Sequence, residues 1–369
     1  MNKTVHIIGG GSAGLILGKE LSLMGIKNII YDSKRKISDN SAKASGVLSK
    51  SGLGALGIDY KDAIVNELIG ADIYGRSESM RVKSNSTMAY VLDRGRLAEL
   101  LYENAIASGS EIILGKRLSK TEILSLNNGS DIIVGADGAI SNVASAYKFP
   151  EIKHYVLTYK AEYSNANILD KNMVSLHFNN SILKSFFGWT IPYSKSSIEV
   201  GIGIFSNNKT SSKNAFAKFI ATERIKDILK GSKLNGAYAS VIPLSTRRKT
   251  VNGNVLLVGD AAGQVKATTG GGIIFGGICA RIAAKSIYGH IKYAMPLSNY
   301  EHEWRKINGR DLTMHRFFHK YYSILGNTTM DINIKMAKAL GFDGFFSKYG
   351  DMDRPTKMLK RFFLRGFSE

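Results

Sequence analysis

The chain opens with apolar and glycine-rich stretches that predict a strand, a turn, a helix and a second strand. Thr4 to Ile8 is a short apolar run, leucines recur at helical spacing from Leu15 to Leu23, and Asn28 to Tyr31 is again apolar. Two later apolar runs end in Asp-Gly at 137–138 and in Gly-Asp at 259–260, each before a predicted helix. Strands that alternate with helices are typical of a parallel sheet covered by helices.

The pattern changes to an alternation of apolar and polar residues between about Glu151 and Val241, as in HYVLTYKAEY and SIEVGIGIF. This period of two predicts an antiparallel sheet inserted between segments of the first fold. After Lys292 the chain is helical in pattern. We therefore predict a discontinuous α/β domain formed by residues 1–50, 90–150 and 242–290. A second domain is formed by residues 51–89 and 151–241, and residues 291–369 form a helical carboxyl-terminal region.

The last predicted helix is amphipathic. One arc carries Met358, Leu359, Phe362 and Phe363, the opposite arc carries Lys357, Arg361 and Arg365, and Leu364 breaks the pattern. Two interpretations stay open. The helix lies on an anionic lipid surface, or it packs on the protein's own core with its basic face in water.

Composition narrows the partners. The 369 residues contain 50 Lys and Arg against 30 Asp and Glu, and the net charge of +20 favours an anionic partner. No zinc-finger spacing, RNP-like signature or basic heptad region is visible, which argues against nucleic acid. The single cysteine, Cys279, excludes an internal disulfide and a cysteine-based metal site, and with no visible signal peptide or apolar segment of about 20 residues it favours a cytoplasmic protein.

The first turn carries a dinucleotide-binding fingerprint. Gly9, Gly11 and Gly14 give G-x-G-x-x-G between a predicted strand and helix, and Asp32 ends the second strand. An acid there fits the adenosine ribose of NAD or FAD, whereas the cations Lys34 and Arg35 would fit the 2′-phosphate of NADP. The same motif at positions 52, 54 and 57 follows no apolar strand, so we interpret it as a chance match in a loop or short helix.

The stretch GDAAGQVKATTGGGI, residues 259–273, points to a ligand. Asp260 follows a buried-looking apolar run, where a carboxylate needs a partner, and the triple glycine sacrifices packing unless something approaches the backbone closely.

These motifs together, with GADGAISNV and VGDAAG in this order, resemble the FAD-dependent oxidoreductases of the para-hydroxybenzoate hydroxylase type. VKATTGGGIIFGGICARIAA, FFGWTIP and GDMDRP further resemble the geranylgeranyl reductase branch, which includes archaeal digeranylgeranylglycerophospholipid reductases. The resemblance covers essentially the whole chain. It implies a Rossmann-like FAD-binding domain of α/β class (α+β overall) of the glutathione reductase or para-hydroxybenzoate hydroxylase type, with an inserted antiparallel-sheet substrate domain.

The resemblance also implies a set of cofactor-binding residues. Asp260 would hydrogen-bond the ribityl chain, Arg94 would lie near the phosphates or the flavin edge, and Asp137 with Gly138 would brace the pyrophosphate region. The start of a helix at Gly271, Gly272 and Ile273 would stabilise charge at the flavin N1/C2 edge. The full set is Gly9, Gly11, Ala13, Gly14, Asp32, Ala44, Ser45, Gly46, Arg94, Leu118, Asp137, Gly138, Gly259, Asp260, Gly271, Gly272 and Ile273.

Phe187, Trp189 and Ile191 are the implied substrate wall, because FFGWTIP resembles the Tyr-x-Trp-x-Phe-Pro motif of geranylgeranyl reductases. The chain departs from this branch in two places. Lys43, Ala44 and Ser45 occupy the segment that often carries a cysteine near the flavin, and Ala267 replaces a usual proline. The first departure leaves open which double bonds, or which substrate, the chain handles.

The expected function is a FAD-dependent reductase that saturates C=C bonds of geranylgeranyl chains in archaeal-type ether lipids. The implied partners are an isoprenoid lipid, an anionic membrane surface, and a ferredoxin-like or NAD(P)H electron donor, with peripheral membrane association. The proton donor is unassigned, with His177 or a tyrosine of the inserted sheet as candidates, and no metal is expected.

Three alternative functions stay open. A FAD-dependent monooxygenase acting on an aromatic or lipid substrate is the main alternative. FFGWTIP partly resembles the Trp-x-Trp-x-Ile-Pro motif of flavin halogenases, although the first Trp is missing. A basic lipid- or nucleic-acid-binding module without turnover would bind no FAD.

Overall fold

The computed structural model describes residues 3–39, 43–207 and 210–365, without the side chains of residues 364 and 365. Its strands are β1 (Val5–Ile8), β2 (Asn28–Tyr31), β3 (Val47–Ser49), β4 (Ile64–Leu68), β5 (Gly70–Tyr74), β6 (Ser79–Lys83), β7 (Ala89–Leu92), β8 (Glu111–Ile113), β9 (Ile132–Gly135), β10 (Tyr155–Ser164), β11 (Met173–His177), β12 (Gly188–Pro192), β13 (Ser197–Phe205), β14 (Lys233–Pro243), β15 (Val251–Asn252) and β16 (Val255–Leu257). Its helices are α1 (Ser12–Leu23), α2 (Lys50–Leu56), α3 (Arg94–Ala107), α4 (Lys120–Ser125), α5 (Asn142–Ala146), α6 (Ser212–Ile220), α7 (Glu223–Leu229), α8 (Ile273–Tyr293), α9 (Asn299–Trp304), α10 (Arg310–Ser323), α11 (Asn327–Ala339), α12 (Phe342–Tyr349) and α13 (Pro355–Arg365).

The first sheet is the predicted α/β unit. Its six strands run in the order β15-β16-β9-β1-β2-β8, and every pair is parallel except the terminal pair β15–β16. Strands β1 and β9 are buried throughout, as a parallel sheet covered on both faces requires. Because parallel strands end on the same edge, the turns after β1, β2, β9 and β16 meet there.

The inserted sheet has seven strands in the order β14-β10-β13-β12-β11-β5-β6. Its pairs are antiparallel, as predicted, with one exception. β11 and β5 pair in parallel, with Met173 opposite Gly70. These two strands come from distant segments of the chain, so no hairpin turn forces them to run in opposite directions.

A small antiparallel sheet, β3-β7-β4, was not predicted, and its strands lie in the chain on either side of β5 and β6. The second G-x-G-x-x-G lies on the short helix α2 and its end, as expected for a chance match. Gly57 caps this helix in the left-handed conformation at φ +57°. A Cβ on Gly52 would lie 2.4 Å from Asp353 Oδ2, so that glycine serves packing.

The carboxyl-terminal segment is helical, as predicted, and its first part joins the core beneath the parallel sheet. Tyr300 and Trp304 are fully buried there with residues of α1 and α8. Among the described residues, no helix is long and apolar enough to span a bilayer. The predicted division into domains stays a prediction.

Candidate cofactor and substrate site

The turn after β1 is shaped for close approach of a ligand. Gly9 has φ +111°, and a Cβ there would lie 2.3 Å from the Ala136 carbonyl oxygen. A Cβ on Gly14 would lie 1.9 Å from the Gly9 carbonyl oxygen, so the helix can pack on the turn only with glycine at this position. Among the described residues, leaving out Gly11 and its two neighbours, no atom lies within 4 Å of the corresponding point on Gly11, and α1 begins there without a side-chain cap. The free N–H groups of this helix end suit a phosphate.

Asp32 stands beside this turn at the end of β2. Its Oδ2 accepts a hydrogen bond from the Gly10 N–H at 2.6 Å, and its Oδ1 accepts one from the Lys34 N–H at 2.8 Å. The Lys34 ammonium is 4.0 Å from the carboxylate. A carboxylate here favours a ribose hydroxyl over a 2′-phosphate. Leu118, which follows β8 in the chain, is 6% exposed and belongs to the same apolar cluster as Ile8 of β1.

Asp137 orients the loop after β9. It accepts hydrogen bonds from the Ser141 hydroxyl at 2.6 Å and the Val143 N–H at 3.1 Å, at the start of α5. Gly138 follows with φ +83°, and apart from its own neighbours no atom of the described chain lies within 4 Å of where a Cβ would be. The carboxylate therefore holds its own loop in shape, and the open backbone of Gly138 is the part that a ligand can approach.

The Gly259 turn and the first turn of α1 lie against each other. A Cβ on Gly259 would lie 3.0 Å from the Ala13 Cβ, and Gly259 has φ +63°. The Gly259 N–H donates to Gln264 Oε1 at 2.8 Å, and Gln264 in turn donates to the Tyr300 hydroxyl at 2.9 Å. This buried chain of hydrogen bonds fixes the turn that presents Asp260.

Asp260 faces Arg94, the first residue of α3. The Nε and Nη1 atoms of Arg94 are buried with no hydrogen-bond partner in the part of the chain that the structure describes. Burial lowers the pKa of Arg94 to about 10, and the charges of Asp260 and Tyr193 oppose this shift. Burial raises the pKa of Asp260 to about 6, and Arg94 opposes it. Buried donors left unpaired are costly, so these side chains are arranged for a polar ligand.

The triple glycine forms the approach to α8. Gly270 has φ +76°, a Cβ on Gly271 would lie 2.7 Å from Lys266 Cε, and a Cβ on Gly272 would lie 2.7 Å from Asp260 Oδ1. Helix α8 then begins at Ile273 without a side-chain cap. With α1, this makes two uncapped helix starts beside the unpaired Arg94. The donor set fits the pyrophosphate, ribityl chain and ring edge of FAD.

A buried ion pair next to residues 267–272, which we call the glycine loop, was not predicted. Lys266 Nζ lies 2.5 Å from Asp353 Oδ1, and both side chains are almost fully buried. Asp353 also accepts a hydrogen bond from Ser49, the cap of α2, and its backbone carbonyl contacts His315 Nε2 at 3.3 Å. Burial alone would raise the pKa of Asp353, but the charge and hydrogen bond of Lys266, the hydrogen bond of Ser49 and the charge of His315 together lower it. The GDMDRP motif thus ties the carboxyl-terminal segment to the loop before α8. The resemblance of this motif to the family was the one signal in the sequence for this contact.

The predicted substrate wall is aromatic and buried. The Trp189 ring lies over Gly201, where a Cβ would be 2.3 Å from the indole, and Phe187 packs against it edge-on at 6.0 Å between ring centroids. Ile191 is 5% exposed and belongs to the same apolar cluster, together with Ala267 of the glycine loop and Val47 of β3. The wall therefore meets the loops of the cofactor site.

The Ala44–Gly46 segment joins this wall to the parallel-sheet unit. The Ser45 hydroxyl donates a hydrogen bond to Glu199, and Lys160 Nζ donates to the Ala44 carbonyl at 3.3 Å. A Cβ on Gly46 would lie 2.1 Å from the Leu92 carbonyl oxygen. Glu199 and Lys160 were missed in the sequence, although a Glu and a Lys within strongly apolar strands were visible signals.

His177 is not suited to donate a proton. Burial, followed by the charge of Arg224, lowers the pKa of His177 to about 3, so the ring is neutral near pH 7. The ring stacks on Tyr74 and meets Phe219 edge-on. Leu176 lies opposite Trp189 on the neighbouring strand, so His177, the next residue, points to the other face of the sheet. Within the described residues, no group of three or more His, Cys, Asp or Glu side chains is placed to hold a metal.

Comparison with known proteins gives the same picture. The chain matches the FAD binding domain family over residues 2–276. An uncharacterized protein of Methanocaldococcus jannaschii is 28% identical over 96% of this chain and 93% of its own length. The digeranylgeranylglycerophospholipid reductase of the same organism is 26% identical, covering 91% of this chain and 90% of its own. A crystal structure described as geranylgeranyl bacteriochlorophyll reductase-like, from Thermoplasma acidophilum, superposes with a TM-score of 0.80 at 20% identity, over 97% of this chain and 95% of that one.

Proposed function

The chain belongs to the FAD binding domain family and binds FAD, and on that premise we propose that it reduces C=C bonds of isoprenoid chains. The substrate class we propose is the geranylgeranyl lipid of archaeal-type ether-lipid synthesis. The observation that carries this proposal is the single apolar cluster in which Trp189 and Phe187 of the inserted sheet meet Ala267 of the glycine loop. The digeranylgeranylglycerophospholipid reductases among the relatives support it.

The chemistry divides between cofactor and protein. When bound, FAD supplies the hydride. An isolated alkene is not electrophilic, so a proton must reach the second carbon from the protein. The buried indole of Trp189 and the ring of Phe187, 9% and 5% exposed, would line the chain of the lipid and keep water from the reacting bond.

The test is anaerobic. The protein loaded with FAD is reduced with dithionite, a geranylgeranyl lipid is added, and flavin absorbance and product mass are followed together. We expect reoxidation with a gain of two hydrogens per bond. A flavin that stays reduced until air is admitted, and then gives an oxygenated product, would instead establish the monooxygenase.

We further propose that the protein works at an anionic membrane surface. Exposed apolar side chains follow one face of α10, at Phe317, Tyr321 and Ile324. Such residues spaced by four and three positions form one stripe of a helix. The net charge of +20 supplies the attraction to anionic lipid.

The electron donor is part of the proposal. The chain has one dinucleotide fingerprint with the correct strand and helix around it, and that one serves FAD. We propose that reducing equivalents come from outside the chain, from a ferredoxin-like carrier or from a transiently bound NAD(P)H.

A further inference from the structure

A buried polar cluster, which we call the Glu199 network, lies between the substrate wall and the cofactor site. The Glu199 carboxylate is fully buried and accepts hydrogen bonds from Lys160 at 2.5 Å, Trp189 at 2.7 Å and Tyr193 at 2.7 Å, and a fourth from Ser45. The donors come from β10, β12, the turn after β12 and the loop before β3. Four donors satisfy the lone pairs of one ionised carboxylate.

Such a pair is expensive in a core. Lys160 is 2% exposed and Glu199 is 0% exposed. A buried ion pair is often replaceable by apolar residues of similar size without loss of stability. Its position here, in contact with the predicted substrate wall through Trp189, therefore suggests a role in the reaction rather than in folding.

The network reaches the protein surface. Lys160 Nζ lies 3.5 Å from Glu162 Oε1, whose side chain is 24% exposed. Glu162 thus connects solvent with Lys160, and Lys160 connects with Glu199. Every step lies within 3.5 Å, so a proton can pass from water to the interior along exchangeable groups.

The network also reaches the cofactor site. Tyr193 donates to Glu199, and its side chain packs against the apolar cluster in which Trp189 meets Ala267, next to the triple glycine. Burial and the charge of Glu199 raise the pKa of Tyr193 above its ordinary value, so its hydroxyl keeps its proton near pH 7. Tyr193 is therefore the member that faces both sites.

The charged and titratable groups linked to Glu199 are Lys160, Glu162 and Tyr193. Ser45 is a neutral donor to Glu199, the Tyr238 ring lies 5.8 Å from Lys160 Nζ, and the charge of Arg94 interacts with Tyr193. His177 lies on the other face of the sheet and is excluded.

We propose that the Glu199 network is the proton relay of the reduction, with Tyr193 as its outlet and Glu162 as its inlet. This inference rests on the proposed function. For each C=C bond one hydride comes from the reduced cofactor and one proton leaves the network through the Tyr193 hydroxyl. Lys160 gives up a proton through Glu199 to restore that hydroxyl, and one proton from water, entering at Glu162, restores Lys160. One hydride and one proton are thereby added to the alkene, and the network ends as it began.

The first experiment compares Y193F and E199Q with the matched control Y163F, a buried tyrosine on the opposite face of the same sheet. In anaerobic single-turnover reactions of the FAD-loaded protein with a geranylgeranyl lipid, we expect the rates of Y193F and E199Q to fall about 100-fold, the scale of general acid catalysis. The pH profile of the rate should change in both variants and stay unchanged in Y163F. FAD stoichiometry, read from absorbance, should be the same in all four proteins.

The second experiment needs no lipid. The midpoint potential of the bound FAD is measured from pH 6 to pH 9 in the wild type, E199Q and Y163F. The slope of the potential with pH reports the protons taken up on reduction. If reduction of the bound FAD draws a proton into the network, the potential of the wild type and of Y163F falls more steeply with pH than that of E199Q.

The two readouts separate the outcomes. Slower turnover with an unchanged pH profile, and equal potential slopes, would show a structural role and overturn the relay. Wild-type rates in Y193F would also overturn it. A wild type that never reduces the lipid would refute the proposed function, while a potential slope that differs in E199Q would still support proton exchange by the network.

Discussion

At the scale of single residues, Arg94 and Asp260 define the site. Within the described residues, Arg94 has two buried nitrogen atoms without a hydrogen bond, and burial raises the pKa of Asp260 to about 6. Both are poor choices for a protein that binds nothing, because an unpaired buried donor and a carboxylate removed from water each cost free energy. A ligand with hydroxyls and phosphates removes both costs.

The Asp260→Ala variant tests this residue. A hydrogen bond to a charged group contributes about 1.5–3 kcal/mol, so we expect FAD affinity to fall about 10- to 100-fold in fluorescence titrations of the apoprotein. The folded pKa of Asp260 lies above its ordinary value of 3.8. Its contribution to apoprotein stability is therefore present below about pH 4 and lost as pH rises through about 6, and the variant should lack this loss.

The control for this variant is Asp59→Ala, which removes an exposed carboxylate elsewhere. It should leave both FAD affinity and the pH dependence of urea unfolding unchanged. Equal FAD affinity in D260A and the wild type would contradict the ligand role of Asp260.

At the scale of elements, the tail holds the glycine loop in place. Lys266 precedes the loop that leads into α8, and Asp353 lies between α12 and α13. Arg354, the next residue, reaches Asp311 of α10 at 3.1 Å. The segment between α12 and α13 is thus tied to the loop before α8 by one almost fully buried ion pair and to α10 by a second pair.

The Asp353→Asn variant breaks the buried pair and leaves the Lys266 charge without its partner. We expect the free energy of unfolding to fall by about 3–5 kcal/mol in urea titrations and FAD to dissociate more readily. The double variant K266M/D353L should recover most of the stability, because it removes both charges. A matched control is Glu103→Gln, which breaks the exposed pair with Arg96 and should cost at most about 1 kcal/mol. Similar losses in D353N and E103Q would show that burial of the pair adds nothing.

Local patterns predicted the parts of the site that lie within single turns. The glycines of the first turn and the acid after β2 were placed by spacing alone, and the structure brings Asp32 to the Gly10 N–H. Contacts between distant segments leave no local pattern in the sequence and could not be predicted from it. Ser45 and Glu199 are 154 positions apart, and Lys266 and Asp353 are 87 apart. Alternation identified β13 as a strand but not which face would carry Glu199, because that depends on how the two sheets meet.

At the scale of the whole molecule, apolar exposure is concentrated in the carboxyl-terminal helices. Helix α10 with its end exposes Phe317, Tyr321 and Ile324, and α11 with its end exposes Ile332, Met336 and Leu340. The Tyr321 hydroxyl donates to Asn333 Oδ1 at 3.4 Å, which places the two helices side by side. Exposed apolar patches of this kind mark surfaces that bind a partner or a membrane.

The predicted amphipathic helix α13 contributes less exposed apolar surface than its sequence suggested. Phe362 stacks on Phe342 of α12, with ring centroids 5.4 Å apart, and Phe363 is 62% exposed. The side chain of Arg365 lies outside the described residues. The structure therefore shifts the lipid-facing surface that we propose from α13 alone to α10 and α11, whose exposed residues have fewer aromatic partners.

The variant F317S/I324S/M336S tests that surface by sedimentation with phosphatidylglycerol vesicles. Each side chain lost from an apolar contact removes up to about 1.5–3 kcal/mol, so we expect binding to weaken at least 10-fold while the fold stays intact, since all three are exposed. Leu169→Ser, a fully exposed leucine between β10 and β11, is the control and should bind as the wild type does. Deleting the chain from Lys357 onward distinguishes α13 from the surface of α10 and α11. Release of the deletion variant from vesicles, with full binding of the triple variant, would assign the anchor to α13. Full binding of both variants would leave only the charge, and salt should then abolish binding, because screening removes charge attraction whereas apolar insertion persists.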